Sequence, residues 1–382
     1  MRIGVTCYPT YGGSGIVATE LGRELAERGH EIHFISYAQP IRLDTDQPRI
    51  FYHEVEVSTY PLFDYPPYTL ALASHMAEVA ESAELDLLHV HYAIPHSVSA
   101  FLARAMTAAR RLPFITTLHG TDITLVGADH SYLPITRFAI EASDGVTAIS
   151  EYLRQTTATE FEVRRPIEVI PNFVNCDRYH RQVIPELRAR YAPEAEPLLV
   201  HLSNFRPVKR VLDVVEIFAR VAARRPARLL MIGDGPDRGQ AERRARCLGV
   251  GERVSFVGKQ DAIHELLSIS DLMLLPSAME SFGLAALEGM AHEVPAVASR
   301  VGGVPEVVED GVTGRLLPAG DIEGMAEAAI ALLAEPERLR AMGRASRRLA
   351  EERFCASHII PLYEDLYARV VSGNHAAARP SR

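Results

Sequence analysis

Lysine is almost missing from this 382-residue chain: it occurs only at Lys209 and Lys259. Residues 1–172 contain none, and 12 arginines there face 21 aspartates and glutamates. So acidic a half argues against nucleic acid and against an anionic membrane, since both need a basic face. The remainder carries 28 charges of each sign, which leaves a net charge of −9 for the whole. Cysteine is scarce as well. Cys7, Cys176, Cys247 and Cys355 form no Cys-x-x-Cys pair, and their spacing fits neither a zinc site nor a disulfide framework. They read as reduced, mostly buried thiols of a cytoplasmic protein. No apolar run approaches the ~20 residues that cross a bilayer. The first residues enter a strand and meet Pro9, without an apolar signal core. The absence of any Gly-x-Ser-x-Gly sequence excludes the hydrolase elbow.

What is present is ordinary globular composition, 47% hydrophobic and 23% charged. The length asks for two domains. Only the tail, roughly residues 373–382, reads as disordered. Residues 2–7 form a short apolar strand, followed by the glycine-rich turn Gly12-Gly13-Ser14-Gly15, an amphipathic helix over 16–27 and a second strand over 31–36. This βαβ opening implies a parallel sheet. Further strands are expected at 86–91, 114–118, 145–149 and 167–170, with helices notably at 68–82 and 135–142. Residues 171–197, rich in Pro, Asn and charge, mark a crossing to a second domain. There the alternation resumes, with strands at 197–202, 228–232, 254–257, 272–275 and 294–298. Helices are expected at 211–223, 238–248, 262–268 and 285–291, then at 322–335 and 336–351. The reading is α/β: two Rossmann-like, doubly wound parallel-sheet domains, residues 1–172 and 190–352, facing a cleft. A final helix over 356–371 is expected to pack back on the first.

Four constellations carry chemistry. Glu280-Ser-Phe-Gly-Leu-Ala-Ala-Leu-Glu288 follows a strand and opens a helix, so amides near Gly283 and Leu284 would face an anion. Its bland alternative is a strand–turn–helix with two solvated glutamates. Asn204-Phe-Arg206-Pro-Val-Lys209-Arg210 sets cations on one loop beside a helix start, which suits a diphosphate, or is merely a solvated basic turn. The glycine loop at 12–15 would suit a dinucleotide only with an acidic residue ending strand two; that position reads Ile35-Ser36-Tyr37, which weakens a nicotinamide-dependent reading. Thr116-Thr-Leu-His119-Gly-Thr-Asp122 delivers His119 and Asp122 to a carboxyl sheet edge. A metal set from His89, His91, His96 and His119 matches no familiar ligand spacing.

Together these residues resemble the retaining glycosyltransferases of the GT-B fold, of the family 4 type. Glu280 and Glu288 match that family's two glutamates separated by seven residues, Arg206 and Lys209 its diphosphate pair, Gly12–Gly15 its glycine loop, and Asn172-Phe173 its interdomain turn. The stretches Gly13-Ser-Gly15, His89-Val-His-Tyr-Ala-Ile-Pro-His96, Thr116 to Asp122 and Ser203-Asn-Phe-Arg206 are similar to a narrower branch. That branch transfers N-acetylglucosamine from UDP-N-acetylglucosamine to the hydroxyl of L-malate, the first step of bacillithiol biosynthesis. One departure is His292-Glu293, where the family usually shows Cys-Gly.

The resemblance implies donor-sugar contacts from Gly13, Ser14, Gly15, Asn204, Arg206, Lys209, Glu280, Phe282, Gly283, Leu284 and Glu288. Within that set Arg206 and Lys209 hold the diphosphate, Glu288 the ribose hydroxyls and Glu280 a sugar hydroxyl, with His119 beside the sugar. His119, Arg206, Lys209 and Glu280 are the expected catalytic groups. The acceptor is expected on Ser14, Tyr92, Thr117, Thr121 and Arg137, the last as a bidentate carboxylate fork, or else as an Arg137–Glu141 surface pair; Arg42 is the next arginine in line. UDP-sugar is a substrate, so no cofactor and no metal is required. Neither nucleic acid nor membrane is expected as a partner, and the sequence is compatible with a homo-oligomer. A related transferase with another small acceptor, and a UDP-sugar epimerase or hydrolase, remain open.

Overall fold

The computed structural model describes residues 1–10, 12–58, 64–107, 112–124 and 129–373; the tail expected to be disordered lies almost wholly outside them. It divides the chain into two compact units, residues 1–171 with 358–382, and residues 172–357.

The first unit is built on seven strands: β1 (Arg2–Thr6), β2 (Glu31–Ser36), β3 (Ile50–Glu54), β4 (Leu87–His91), β5 (Phe114–Leu118), β6 (Gly145–Ala148) and β7 (Glu168–Val169). Their order is β3-β2-β1-β4-β5-β6-β7, every pair parallel. Parallel strands need crossovers, and crossovers cover both faces with helices. Strands covered on both sides are apolar throughout, as Ile3, Val5, Leu87, Leu88 and Val90 are here. Residues 358–371 of the helix Ala356–Val371 belong to this unit. Its Tyr363 and Tyr367 are fully buried, and the Tyr367 hydroxyl meets His89 Nδ1 at 2.8 Å.

The second unit has six strands: β8 (Leu198–Leu202), β9 (Arg228–Ile232), β10 (Val254–Gly258), β11 (Leu272–Leu275), β12 (Ala296–Ser299) and β13 (Gly314–Leu317). The order is β10-β9-β8-β11-β12-β13, again all parallel. The helix Val211–Arg224 shows why the local pattern folds as it does. Val211, Val214, Val215, Phe218, Val221 and Ala222 recur at three- and four-residue steps, all are buried, and they join Leu199, Leu229, Met231 and Leu272 in one core. Burial of a side chain such as Phe218 contributes about 1.5–3 kcal/mol.

Two strands lay outside the sequence reading, β3 and β13. Both are edge strands: β3 leaves Phe51 and Glu54 exposed and β13 begins Gly-Arg, so neither shows the apolar run of an interior strand. The helices Val98–Met106 and Glu151–Glu160 were likewise not singled out; the second is too polar to show a periodic apolar face.

The departure at His292-Glu293 has a structural consequence. His292 is buried, donates from Nδ1 to the Glu288 carbonyl at 2.8 Å, and stacks on His264. Glu293 sits at φ 58°, the left-handed region a glycine adopts without strain. Glu293→Gly is therefore expected to raise stability by about 1 kcal/mol. A melting temperature that stays level or falls in that variant would show that the Glu293 side chain repays its backbone strain.

Candidate active site

In a doubly wound sheet, ligands bind beyond the carboxyl ends of the strands, where the winding reverses and adjacent loops run apart. In the second unit that point lies between β8 and β11, which are neighbours although three crossovers separate them in sequence. The loop after β8 carries Asn204, Arg206 and Lys209; the loop after β11 carries Glu280 to Gly283.

The two loops are tied together. The Ala278 amide donates to the Val208 carbonyl at 2.8 Å. Lys209 Nζ donates to Glu280 Oε1 at 2.7 Å, and Ser277 Oγ donates to the same oxygen at 2.9 Å. Beneath them His201, fully buried, donates from Nδ1 to the Leu274 carbonyl and accepts at Nε2 from Ser203 Oγ, both at 2.8 Å. Ser203 Oγ in turn accepts from the Phe205 amide. This chain of bonds fixes the start of the Asn204–Lys209 loop against β11. Burial pushes the His201 pKa down to about 4, so the ring stays neutral and keeps this pattern.

The site displays groups that suit an anion. The Arg206 side chain is exposed and pairs with no carboxylate among the described residues. Asn204 Oδ1 is buried without a hydrogen-bond partner, the state of a polar atom that a ligand completes. Gly283, at φ 98°, is the N-cap of the helix Leu284–Ala291, so the first amides of that helix are open to an anion. A side chain at Gly283 would be strained by that φ, and its Cβ would lie 3.4 Å from Val304 Cγ2. The next loop closes in too: the Gly303 amide donates to the Glu280 carbonyl at 3.0 Å, and a Cβ at Gly303 would lie 2.4 Å from the Ser281 carbonyl oxygen. Glu288 is buried in the same helix. The Phe282 ring is buried, edge-on to Phe354 at 5.7 Å, so its backbone is the part left for a ligand.

In the first unit the reversal lies between β1 and β4. Gly13, Ser14 and Gly15 open the helix Gly13–Glu27 after β1; a Cβ on Gly15 would stand 2.7 Å from the Tyr8 carbonyl oxygen, so the turn depends on glycine. Ser14 Oγ reaches the Tyr92 hydroxyl at 3.3 Å, across the reversal point. Tyr92, at φ 87°, follows β4, and its ring stacks with His119 at 5.4 Å. Asp122 accepts from the amides of Ala93, His119 and Gly120, which clamps the loop after β5 to the loop after β4.

Among the described residues no three His, Cys, Asp or Glu side chains converge on one point. His89 is bonded at both nitrogens, to Tyr367 and to Thr117 Oγ1. His91 Nδ1 meets His119 Nε2 at 2.8 Å, while His91 Nε2 is buried without a partner. A buried bare lone pair costs less than a buried orphan N–H, so the proton belongs on His91 Nδ1. His119 Nε2 then accepts, and the neutral His119 ring carries its hydrogen on Nδ1. Burial pushes the His119 pKa down to about 3, so the group is a neutral hydrogen-bond donor rather than a cation.

Two acceptor expectations are corrected by this geometry. Thr117 is fully buried, and its hydroxyl is engaged by His89 and Thr147 at 2.7 Å each. Its side chain is a strut of the sheet interior. Arg137 donates to the carboxylate and the carbonyl of Glu162, at 3.1 and 3.2 Å. Glu162 follows the helix Glu151–Glu160, which descends from the carboxyl edge, so Arg137 is turned toward the opposite edge. The Glu141 pairing is not found either; Glu141 accepts from the Arg164 amide. Thr121 remains half-buried at the carboxyl edge, and Arg42 lies on the loop after β2 at φ 61°.

The two halves of the chain match two family models, Glycosyltransferase Family 4 over residues 11–178 and Glycosyl transferases group 1 over residues 183–349. The chain is 49% identical over 372 residues to the N-acetyl-alpha-D-glucosaminyl L-malate synthase of Bacillus anthracis, covering 97% of both. This chain belongs to the family 4 glycosyltransferases. The transferase is also 29% identical to the D-inositol 3-phosphate glycosyltransferase of Nocardia farcinica over 366 residues, 87% of this chain and 79% of that one. Its fold is GT-B, superposing on the sucrose-phosphate synthase of Thermosynechococcus elongatus with a TM-score of 0.82 at 22% identity, over 98% of this chain and 100% of the other. No helix among the transferase's described residues is long and apolar enough to cross a membrane.

Lys209→Ala should lower kcat for sugar transfer by roughly a hundredfold or more, as removal of a contact to developing charge does. Arg206→Ala should do the same. Unaltered kcat and KM in both folded variants would remove this loop from the chemistry.

The histidines set an acid limit on stability. His89 and His119 are held to about 3 and His96 to about 4 by burial, against about 6.5 when unfolded. Below pH 6.5 the unfolded chain binds protons that the folded chain refuses, so stability is full above that pH and falls as pH drops toward 4. The melting temperature should already decline between pH 6.5 and 5, above the range in which most carboxylates titrate. A flat profile across that interval would mean that these rings charge in place.

Proposed function

We propose that the enzyme transfers N-acetylglucosamine from UDP-N-acetylglucosamine to the hydroxyl of L-malate with retention, the first step of bacillithiol biosynthesis. The near full-length 49% identity to the Bacillus anthracis synthase carries this reading, and the Lys209–Glu280 constellation at the β8–β11 reversal supports it. The donor diphosphate lies against Arg206, Lys209 and the amides of Gly283 and Leu284. As the glycosidic bond to UDP breaks, negative charge grows on the diphosphate, and these groups stabilise it. They supply what a divalent metal supplies elsewhere, so the reading assigns no metal and no cofactor. Glu288 takes the ribose hydroxyls, Glu280 a sugar hydroxyl, and His119 donates from Nδ1 to the sugar. Malate is assigned to the carboxyl edge of the first unit, with Ser14, Tyr92 and Thr121 as donors and Arg42 as the arginine on that edge. The departing diphosphate takes the proton of the acceptor hydroxyl on the face it leaves. A cytoplasmic site of action goes with such substrates.

Mass spectrometry of an incubation with UDP-N-acetylglucosamine and L-malate should show the N-acetylglucosaminyl malate adduct and stoichiometric UDP. UDP release that is equally fast without malate would identify a hydrolase or epimerase. An adduct formed with D-inositol 3-phosphate in place of malate would overturn the acceptor assignment.

A further inference from the structure

Four aromatic rings follow one another through the first unit. His89 and His91 lie two residues apart on β4, so both point to the same face of the sheet. Their ring centres are 4.6 Å apart, with planes 28° from parallel. His119, just after β5, lies 5.0 Å and 30° from His91, and Tyr92 lies 5.4 Å and 28° from His119. His89 is anchored at both nitrogens, Nδ1 to the Tyr367 hydroxyl at 2.8 Å and Nε2 to Thr117 Oγ1 at 2.7 Å. His89, His91 and Thr117 are fully buried. With both nitrogens engaged, His89 does not compete with His119 for the hydrogen of His91.

His119 has one engaged nitrogen and one displayed nitrogen. Nε2 meets His91 Nδ1 at 2.8 Å. Ring centres 5.0 Å apart for nitrogens 2.8 Å apart put this bond nearly in the plane of both rings, where the N–H and the lone pair lie. His119 Nδ1 bonds nothing among the described residues and is not enclosed, so it is the atom that His119 presents to a ligand. The bond allows two proton arrangements. With the His91 hydrogen on Nδ1, His119 accepts at Nε2 and presents an N–H. With the His91 hydrogen on Nε2, His119 donates from Nε2 and presents a bare lone pair. The second arrangement encloses the His91 Nε2–H without an acceptor, which is less favourable than enclosing a lone pair. Burial keeps both rings neutral, pushing the His119 pKa down to about 3 and that of His91 well below its ordinary value. The surroundings of one atom on His91 thus decide whether the site offers a donor or an acceptor.

We propose that His91 is a positioning residue for sugar transfer, holding His119 as its Nδ1–H tautomer so that His119 meets the donor sugar as a hydrogen-bond donor. The proposal rests on the reading that His119 faces the sugar of UDP-N-acetylglucosamine. His91 itself touches no substrate and acts through His119 alone. The group recognised is then an oxygen that accepts, a hydroxyl or an amide carbonyl of the sugar, and a group able only to donate is refused. The Asp122 carboxylate completes the arrangement, since it accepts from the His119 amide at 3.2 Å and fixes the backbone from which the ring projects.

The test uses the full-length enzyme, isotopically labelled at its histidine ring nitrogens for NMR, with the His119 signals assigned by their loss in His119→Gln. Without any substrate, the wild type should show His119 protonated at Nδ1 and bare at Nε2. His91→Asn keeps an N–H near the place of Nδ1 and should preserve that pattern. His91→Phe keeps a ring but no donor, and a second His119 tautomer with the hydrogen on Nε2 should appear. With UDP-N-acetylglucosamine and L-malate, His91→Phe should lower kcat by roughly tenfold or more, as loss of an oriented donor does, and His91→Asn should recover most of that loss. In the His119→Gln background, His91→Phe should cost less than about twofold further, because its effect runs through His119. A wild-type His119 with its hydrogen on Nε2, or a loss in the double variant equal to the product of the two single losses, would overturn the proposal. An unaltered kcat in His119→Gln would instead overturn the placing of His119 against the sugar, whatever tautomer the spectra report.

Discussion

Parallel pairing is the constraint from which the rest of this molecule follows. A strand can pair in parallel with its neighbour only through a crossover, and crossovers bury both faces of the sheet. Winding outward in two directions from one central strand leaves a single place in each sheet where neighbouring loops diverge. In the second unit that place is between β8 and β11, in the first between β1 and β4. Asn204, Arg206 and the Gly283 helix start lie at one of these points, Ser14, Tyr92 and His119 at the other.

The polar residues below these points are as important as those at them. His201 cross-ties β8 to β11 through Leu274 and Ser203, and Asp122 cross-ties the loops after β4 and β5 through three amides. Such groups are expensive to bury unless fully bonded, which is why each sits in a complete network. They give the loops one conformation before a ligand arrives. On the proposed reading, a diphosphate between Arg206 and the helix start meets helix amides already oriented, which is the condition for charge stabilisation without reorganisation.

The architecture was legible in the chain because buried parallel strands are nearly continuous apolar runs and their helices have a clean three- and four-residue step. β5, β9 and β11 fall where the apolar runs end, and the helices at 68–82 and 356–371 match to the residue. The edge strands β3 and β13 were hidden because one side of each faces solvent and tolerates charge. The residue types of the candidate site were legible too, since Lys209 stands out in a chain with two lysines and Glu280 to Glu288 frames a helix start.

Sequence by itself determined what depends on neighbouring residues: element type, the order of crossovers, and the glycines at turns such as Gly283. Only the tertiary structure decided which distant side chains meet. Thr117 and Tyr92 both belong to stretches that point to the acceptor, yet one is spent inside the sheet on His89 and Thr147 while the other reaches Ser14. Arg137 has the right chemistry for a carboxylate, but the direction of its helix hands it to Glu162. Partnership of this kind is set by strand order and by the direction each helix crosses the sheet, and these arise from burying the whole chain at once.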